Sequence, residues 1–510
     1  MKRTVCFLLL IAMALSLPVF AAEAGADAPD GEKGTRELGT MYVSKLNSIW
    51  VKPYDNCMIL ITPGSTVTGL YYHKLYAVYD EERGGYVVKK KVPAHIAYTQ
   101  PVGAKSFGIC FNYTTIVSAG ASEARKNWQV WCRIREGDLL MTEGIDLTAK
   151  TIDVSGTWGT SDFVSNAKIN VTTTREEFSG SAYSDVKIVA LGDSLTPNGG
   201  WTETIGDMLG TDIINAGEGA DRTDEAIKRF DNDVAAFDPD IVLIMFGAND
   251  LNQLNKYNSS LRVKFENNLQ TLHDKCAAIG AKAVFMTPTK MDYSYYESKF
   301  TEQGGIDYCY KTFLQTIKDV AERNGCVFVD NFAPWDKLED VKQYIIDSGH
   351  PNAQGYALLI GTVSEALIYN SEFLTGKKIF SFNEESKDGY GIKENRYLTG
   401  VKAGATAEEI KEIFDSVVET DAVVGTGCEI RCVSDKGYIS GAMKIVINGD
   451  TDGSGKIDTT DYLTLKRVLL GTLKVEGAFK LACDTNSDGG IDSTDYLLIK
   501  RHLLKISSLF

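Results

Sequence analysis

A serine, a histidine and an aspartate, set in separate turns of the chain, give the first sign of chemistry. Ser194 stands in Gly192-Asp193-Ser194-Leu195, directly after the apolar run VKIVAL at 186–191. A serine at the end of a buried strand points out of the sheet edge, near a helix N-terminus whose N–H groups can stabilise an anion. Two further apolar runs end in Asn215-Ala216-Gly217 and in Gly247-Ala248-Asn249-Asp250. Among the five histidines, His350 alone falls in a strand-to-helix loop with a carboxylate, Asp347, three residues before it. His73 and His95 lie among β-type runs, His273 sits within a helical stretch and His502 near the end of the chain. Such a set can carry out nucleophilic acyl transfer, because serine attacks only once a base takes its proton. There is no G-x-S-x-G, so the nucleophile elbow of the α/β-hydrolases is not the template.

A second chemistry lies at the C-terminus. Two segments repeat at a spacing of 34 residues, from Asp450 and from Asp484. Each has oxygen donors at positions 1, 3, 5, 9 and 12, a glycine at 6 and a hydrophobe at 8, the pattern of a calcium loop. The donors are Asp450, Asp452, Ser454, Asp458 and Asp461 in the first loop, with Lys456 offering its carbonyl at position 7. In the second they are Asp484, Asn486, Asp488, Asp492 and Asp495, with the carbonyl of Gly490. Four aspartates within twelve residues repel one another unless a cation joins them, which should couple calcium to folding. A sensor EF-hand is disfavoured, since the last donor is Asp rather than Glu and no helix enters the first loop.

The elements that must hold these residues divide the chain. Residues 1–22 join a basic start, Lys2-Arg3, to an apolar run and small residues, the pattern of a secretory signal. That run is too short to span a bilayer, so an exported protein without a membrane span is expected. Residues 23–37 read as a flexible tether. Residues 38–177 hold short strand runs between turns and suggest a β-sandwich. There, alternation in NWQVWCRIR puts Trp131 on the outer face, as an aromatic that could stack on a sugar or pack against a neighbour. Lys89-Lys90-Lys91 reads as a solvated edge. From 178 to 376 strands alternate with helices, which implies a parallel sheet covered by helices on both faces, with chemistry at its carboxyl edge. Residues 377–446 form a small α+β spacer with a helix over 407–417, and 447–510 hold the repeat.

The strand-end blocks, in this order, resemble those of the SGNH (GDSL-type) hydrolases over roughly 190 residues. The resemblance implies Ser194 as nucleophile, His350 as general base and Asp347 as the residue that orients the imidazole. It also implies an oxyanion hole made by the N–H groups of Ser194 and Gly217 with the Asn249 side chain. Ester hydrolysis through an acyl-enzyme would follow, with no cofactor for catalysis. The C-terminal repeat resembles a type I dockerin, an α-helical domain with two structural calcium ions. That resemblance implies docking to the cohesin module of a scaffoldin, in a cellulosome-like assembly. Its recognition positions match Thr459, Thr460, Lys466 and Arg467 in the first repeat and Ser493, Thr494, Lys500 and Arg501 in the second.

Composition narrows the partners. The chain carries 53 basic and 68 acidic residues, a net charge of −15, which opposes a general nucleic-acid binder. Residues 178–376 hold 16 basic and 29 acidic groups, so the acidity concentrates in the expected hydrolase. A neutral acylated polymer suits that field better than a polyanion. Ten cysteines are too sparse for a disulfide scaffold, and a bridge between Cys428 and Cys432 stays open. These readings converge on a secreted serine esterase that removes acetyl or other small acyl groups from xylan or a related plant polysaccharide. The alternatives are a lipase or arylesterase that travels with the complex, and a non-catalytic carbohydrate-binding subunit.

Overall fold

A computed structural model describes residues 36–45, 57–61, 71–93, 102–110, 130–131, 133–143, 168–173, 180–252, 259–300, 304–386 and 388–509. The signal segment and residues 23–35 of the tether lie outside these, as do Trp128, Gln129 and Cys132. The described chain forms two compact units.

The first unit opens with seven strands: β1 (Arg36–Lys45), β2 (Cys57–Ile61), β3 (Tyr71–Asp80), β4 (Gly85–Pro93), β5 (Lys105–Cys110), β6 (Leu139–Glu143) and β7 (Lys168–Thr173). They close into a barrel in the order β1-β2-β5-β3-β4-β6-β7, which corrects the expected β-sandwich. Alternation tells which residues face inward but not which edges meet. Here β1 pairs in parallel with β2 and antiparallel with β7, so no edge remains. A register shift between Glu37 and Gly39 helps β1 bend. Gly39 has φ +132°, and a Cβ there would lie 2.7 Å from Val130 Cγ2.

The expected outer strand at 128–135 is instead helical at 130, 131 and 133, and Trp131 is fully buried. The turn is held by Ile134 N–H donating to Trp131 O at 3.2 Å. Lys91 Nζ donates to Trp131 O (3.1 Å) and Ile134 O (3.2 Å). The indole is therefore core rather than a sugar platform. The lysine run does not lie on an edge, since β4 pairs with both β3 and β6; Lys89 is exposed and Lys90 pairs with Glu136 at 2.6 Å on the surface.

The α/β part of this unit is a five-stranded sheet, wholly parallel, in the order β12-β11-β10-β8-β9. Its strands are β8 (Ile188–Gly192), β9 (Ile213–Gly217), β10 (Ile241–Met245), β11 (Lys282–Met286) and β12 (Val327–Val329). Every residue of β8, β9 and β10 is buried, as a sheet covered on both faces requires. Helices Thr223–Asp233, Ser259–Ala278 and Gly305–Arg323 pack around a core of Phe230, Phe265, Phe285 and Phe313. Phe265 and Phe313 stack with centroids 4.8 Å apart.

The second unit comprises Phe178–Val186, Asp207–Thr211 and Ser364–Phe510. The expected hydrolase span of 178–376 is thus shared between units, because short interactions claim its margins. Tyr183 OH donates to Leu367 O at 2.8 Å, and Ala182 N–H to Ser440 Oγ at 3.1 Å. The unit's sheet joins β13 (Gly391–Lys393), β14 (Tyr397–Thr399), β15 (Val418–Thr420), β16 (Glu429–Val433) and β17 (Ile439–Ile445) in the order β13-β14-β17-β16-β15. The helix expected over 407–417 ends at Glu412, ahead of the Phe382–Phe414 bridge and β15. Cys428 and Cys432 form no bridge with each other, and Cys428 Sγ donates to Val423 O. Helices Thr459–Leu469, Ala478–Cys483 and Ser493–Leu503 complete the unit around Leu465, Cys483 and Ile499.

Replacing Trp131 by alanine should destabilise the chain by about 3–5 kcal/mol in urea unfolding. Trp131→Phe keeps an aromatic and removes an indole N–H that has no partner among the described residues, so it should cost less than half as much. Equal losses would contradict a buried packing role.

Candidate functional site

The parallel sheet brings Ser194, His350 and Asp347 into one chain of hydrogen bonds at its carboxyl edge. Ser194 follows β8, and its Oγ lies 2.8 Å from His350 Nε2. His350 Nδ1 lies 2.7 Å from Asp347 Oδ2. The other carboxylate oxygen, Asp347 Oδ1, accepts the N–H groups of Gly349 and His350, both at 2.8 Å. Partial burial works to raise the Asp347 pKa, but these donors and the imidazole outweigh it and hold the group below the ordinary carboxylate range. An ionised Asp347 fixes the proton on Nδ1 and leaves the Nε2 lone pair facing the serine hydroxyl. The loop is braced at both ends. Ile346 N–H donates to His350 O (2.9 Å), and Asn352 Oδ1 accepts from Gln354 N (2.9 Å) and Gly355 N (3.1 Å).

Below the serine the site is densely charged. Asp193 is buried, with Oδ1 accepting Leu195 N–H at 3.0 Å and Oδ2 accepting Asn249 Nδ2 at 3.4 Å. Burial pushes its pKa up to about 7; Asp250 and Asp221 add to the rise, while Leu195 N–H and Arg229 oppose it. Asp250, next to Asn249, is also pushed up to about 7, first by burial, despite hydrogen bonds from Thr223. Arg229 ties this floor together. Its guanidinium donates to Asp221 (2.6 Å), Asp233 (2.9 Å), Ala216 O (2.7 Å) and Gly192 O (3.0 Å). The surrounding carboxylates raise its pKa against the effect of burial.

The oxyanion assignment needs a correction. Gly217 is buried, and its N–H donates to Asn215 Oδ1 at 3.1 Å, so it is not offered to a ligand. Its missing side chain serves packing: a Cβ there would lie 2.4 Å from Pro197 Cδ, in the turn after the serine. Asn249 Nδ2 donates to Asp221 O at 3.1 Å, with the longer contact to Asp193 as its second bond. Ala220, missed from the sequence, is exposed in a left-handed turn (φ +57°) one residue before Asp221. Neither Ala220 N–H nor Ser194 N–H has an acceptor among the described residues. Alanine at positive φ leaves little trace in a sequence; only the small Gly219-Ala220 pair in a strand-to-helix loop pointed there.

Both C-terminal loops have the expected shape. In the first, carboxylate oxygens of Asp450, Asp452 and Asp461 lie within 4.8 Å of one another. Burial, with Asp452 and Asp450 alongside, pushes Asp461 up to about 6. Asp450 Oδ1 accepts Ser454 N–H at 2.9 Å, and the Ser454 hydroxyl lies 3.5 Å from the Lys456 carbonyl. Asp458 caps the following helix by accepting Thr460 N–H at 2.7 Å. In the second loop Asp484 accepts from Asp488 N (3.1 Å), and Asp495 from Thr485 N (2.7 Å). There Asn486 Nδ2 reaches Asp488 (2.7 Å), Gly490 N–H donates to Asp488 (2.9 Å) and Asp492 accepts Thr494 N–H (2.6 Å). The converging hard oxygens of the first loop fit a calcium ion.

Thr459, Thr460, Lys466 and Arg467 are exposed, and so are Ser493, Thr494, Lys500 and Arg501. Beside them, Leu463 and Leu470 in one repeat and Leu497 and Leu504 in the other are exposed at matching positions. Helical periodicity marked these leucines as apolar without telling which ones the partner helix would leave uncovered. Tyr462 and Tyr496 stack at 4.2 Å between the repeats.

A parallel sheet with a hydrogen-bonded serine, histidine and aspartate at its carboxyl edge defines a serine ester hydrolase. Comparison with known proteins agrees. Residues 190–358 match the GDSL-like lipase/acylhydrolase family, and residues 448–504 match the type I dockerin domain. The chain therefore joins a GDSL-like acylhydrolase domain to a type I dockerin, a domain that binds calcium and implies a cohesin partner and an extracellular assembly. An uncharacterized lipoprotein, YqeF, of Bacillus subtilis (strain 168) is 29% identical over 178 residues, covering 30% of this chain and 72% of its own. A catalytic mutant of Axe2, an acetylxylan esterase from Geobacillus stearothermophilus, is 20% identical, covering 36% of this chain and 94% of its own with TM-score 0.30. LAE5, an alpha/beta hydrolase enzyme from the metagenome of Lake Arreo, Spain, is 20% identical, covering 39% and 98% with TM-score 0.31. No helix among the described residues is long and apolar enough to cross a membrane.

Asp193 and Asp250 give stability a definite pH sign. Their folded pKa values, about 7, lie above the ordinary 3.8. Between roughly pH 4 and 7 the folded chain keeps protons that the unfolded chain has lost, so stability should fall as pH rises through that window. Asp250→Asn should flatten the fall in urea unfolding; an unchanged slope would remove Asp250 from the account.

Proposed function

We propose that the chain is a cellulosome-associated serine esterase, secreted by its N-terminal signal. It removes acetyl and other small acyl groups from xylan or a related plant cell-wall polysaccharide. The observation that carries the chemistry is the continuous relay Ser194–His350–Asp347, with contacts of 2.8 and 2.7 Å. His350 Nε2 takes the Ser194 proton as Oγ attacks the ester carbonyl carbon. The tetrahedral oxyanion is met by the N–H groups of Ser194 and Ala220 and by Asn249 Nδ2, whose 3.4 Å bond to Asp193 is the easier one to exchange. His350 then gives its proton to the departing sugar oxygen as the C–O bond breaks, leaving an acyl-serine. Water repeats the sequence, with His350 as base, and releases the acid.

The substrate reading rests on two supports. A dockerin places the esterase beside other wall-degrading subunits, where acyl decorations on hemicellulose block the chain. The acidic 178–376 segment also favours a neutral polymer over a polyanion.

Acetate release from acetylated xylan should exceed hydrolysis of long-chain esters, and Ser194→Ala should lower it by roughly 10⁴-fold or more with the fold unchanged by circular dichroism. Full activity in that variant would sink the catalytic assignment, and preference for long acyl chains would favour a lipase. For the C-terminal domain, a cohesin should bind in calcium and dissociate when EGTA is added. Binding that persists without calcium would contradict the role of the loops.

A further inference from the structure

The two calcium loops are close copies in sequence, and each carries four aspartates. The first also carries Lys456 at position 7, so charge does not favour it. Their surroundings differ. In the second loop, Asp484 is also buried, but among the described residues its carboxylate accepts only from its own loop, Asp488 N at 3.1 Å and Gly489 N at 2.9 Å, and residues 486–490 are exposed. In the first, Asp450 is fully buried and accepts a third bond from outside the dockerin repeat, Thr426 N–H to Oδ2 at 2.7 Å.

That bond is one of several from the same source. The Thr426 hydroxyl donates to Ile447 O (3.2 Å) and accepts Ile447 N–H (3.1 Å), bracketing the residues that lead into the loop. Gly404 N–H donates to Gly455 O at 2.9 Å. The two backbones touch: a Cβ on Gly425 would lie 2.5 Å from Gly453 O, and one on Gly455 would lie 2.2 Å from Val424 O. The 424–427 segment is itself anchored to β17 through Gly427 N–H and Ile445 O at 2.9 Å.

We propose that the five-stranded sheet is a working part of the first calcium site: its 424–427 segment clamps that loop in its ion-ready shape. The inference rests on the calcium-loop reading. An ion entering the first loop finds Asp450 already oriented and desolvated by the 424–427 segment, whereas Asp484 in the second loop has no such support from outside its loop among the described residues. The first site is then the tighter of the two, although its position 5 is Ser454 where the second has Asp488. Coupling of this kind is reciprocal, so calcium in the first loop also steadies the sheet's 424–427 segment.

Calorimetric titration of the full-length, calcium-stripped chain with calcium chloride should resolve two sites about tenfold or more apart in affinity, a gap of the size one hydrogen bond to a charged group carries. Asp450→Ala should abolish the tighter class and Asp484→Ala the weaker. If neither removes a class, the calcium-loop reading itself fails. Gly425→Val, which touches no ligand or catalytic group, should weaken the tighter class about tenfold. It should leave the weaker class and esterase activity unchanged. Hydrogen exchange gives a second readout: the Thr426 amide should lose protection when EGTA is added to the wild-type chain. Intact calcium binding with two equal sites, a Gly425→Val variant that titrates like the wild type, or a Thr426 amide indifferent to calcium would each overturn the clamp.

Discussion

One guanidinium holds the catalytic edge in place. Arg229 is almost fully buried, and a lone buried cation would be prohibitively costly. It is tolerated because Asp221, Asp233 and Glu218 surround it and because two carbonyls, Gly192 O and Ala216 O, accept its remaining protons. Those carbonyls belong to the last turns of β8 and β9, and Asp221 closes the loop that carries Ala220. The same group thus fixes the strand end ahead of Ser194, the strand beside it and the backbone that supports Asn249. Burial at this packed edge, with Asp250 and Asp221 adding to it against Leu195 N–H and Arg229, is why Asp193 cannot ionise easily beneath the nucleophile.

The α/β region was the most legible part of the fold. Its strands are continuous apolar runs bounded by turns, and the alternation of strands and helices expected there is the one the parallel sheet and its helices show. The β character of the N-terminal region was legible, but not every strand in it, and closure was not, because pairing of β1 with both β2 and β7 is a long-range choice. Trp131 was misplaced for a related reason. A short alternating stretch fits a strand or a helical turn equally well, and the carbonyl contacts from Lys91 that settle it come from 40 residues away.

Within the site, side-chain chemistry was readable and backbone chemistry was not. Ser194, His350 and Asp347 announce themselves by type and spacing. Gly217 was assigned an oxyanion role because a glycine at a strand end permits close approach, yet what approaches it is the Thr196-Pro197 turn. An amide without an acceptor among the described residues belongs instead to exposed Ala220, whose unusual φ no residue letter reports. In the calcium loops the ligand pattern was complete in the sequence, while the difference in their burial depends on residues more than twenty positions upstream.

The partition of the chain has a consequence for how the enzyme travels. Residues 178–186 and 207–211 belong with the C-terminal unit although they flank a segment, 187–206, that contains the nucleophile. The polypeptide therefore passes between the two units five times rather than once. A single proteolytic nick near residue 376 would leave the docking end still held within the C-terminal unit through contacts such as Ala182 N–H to Ser440 Oγ. Catalysis and docking are thus not a cassette on a string: the esterase cannot be traded onto another scaffold-binding tail by cutting at one linker.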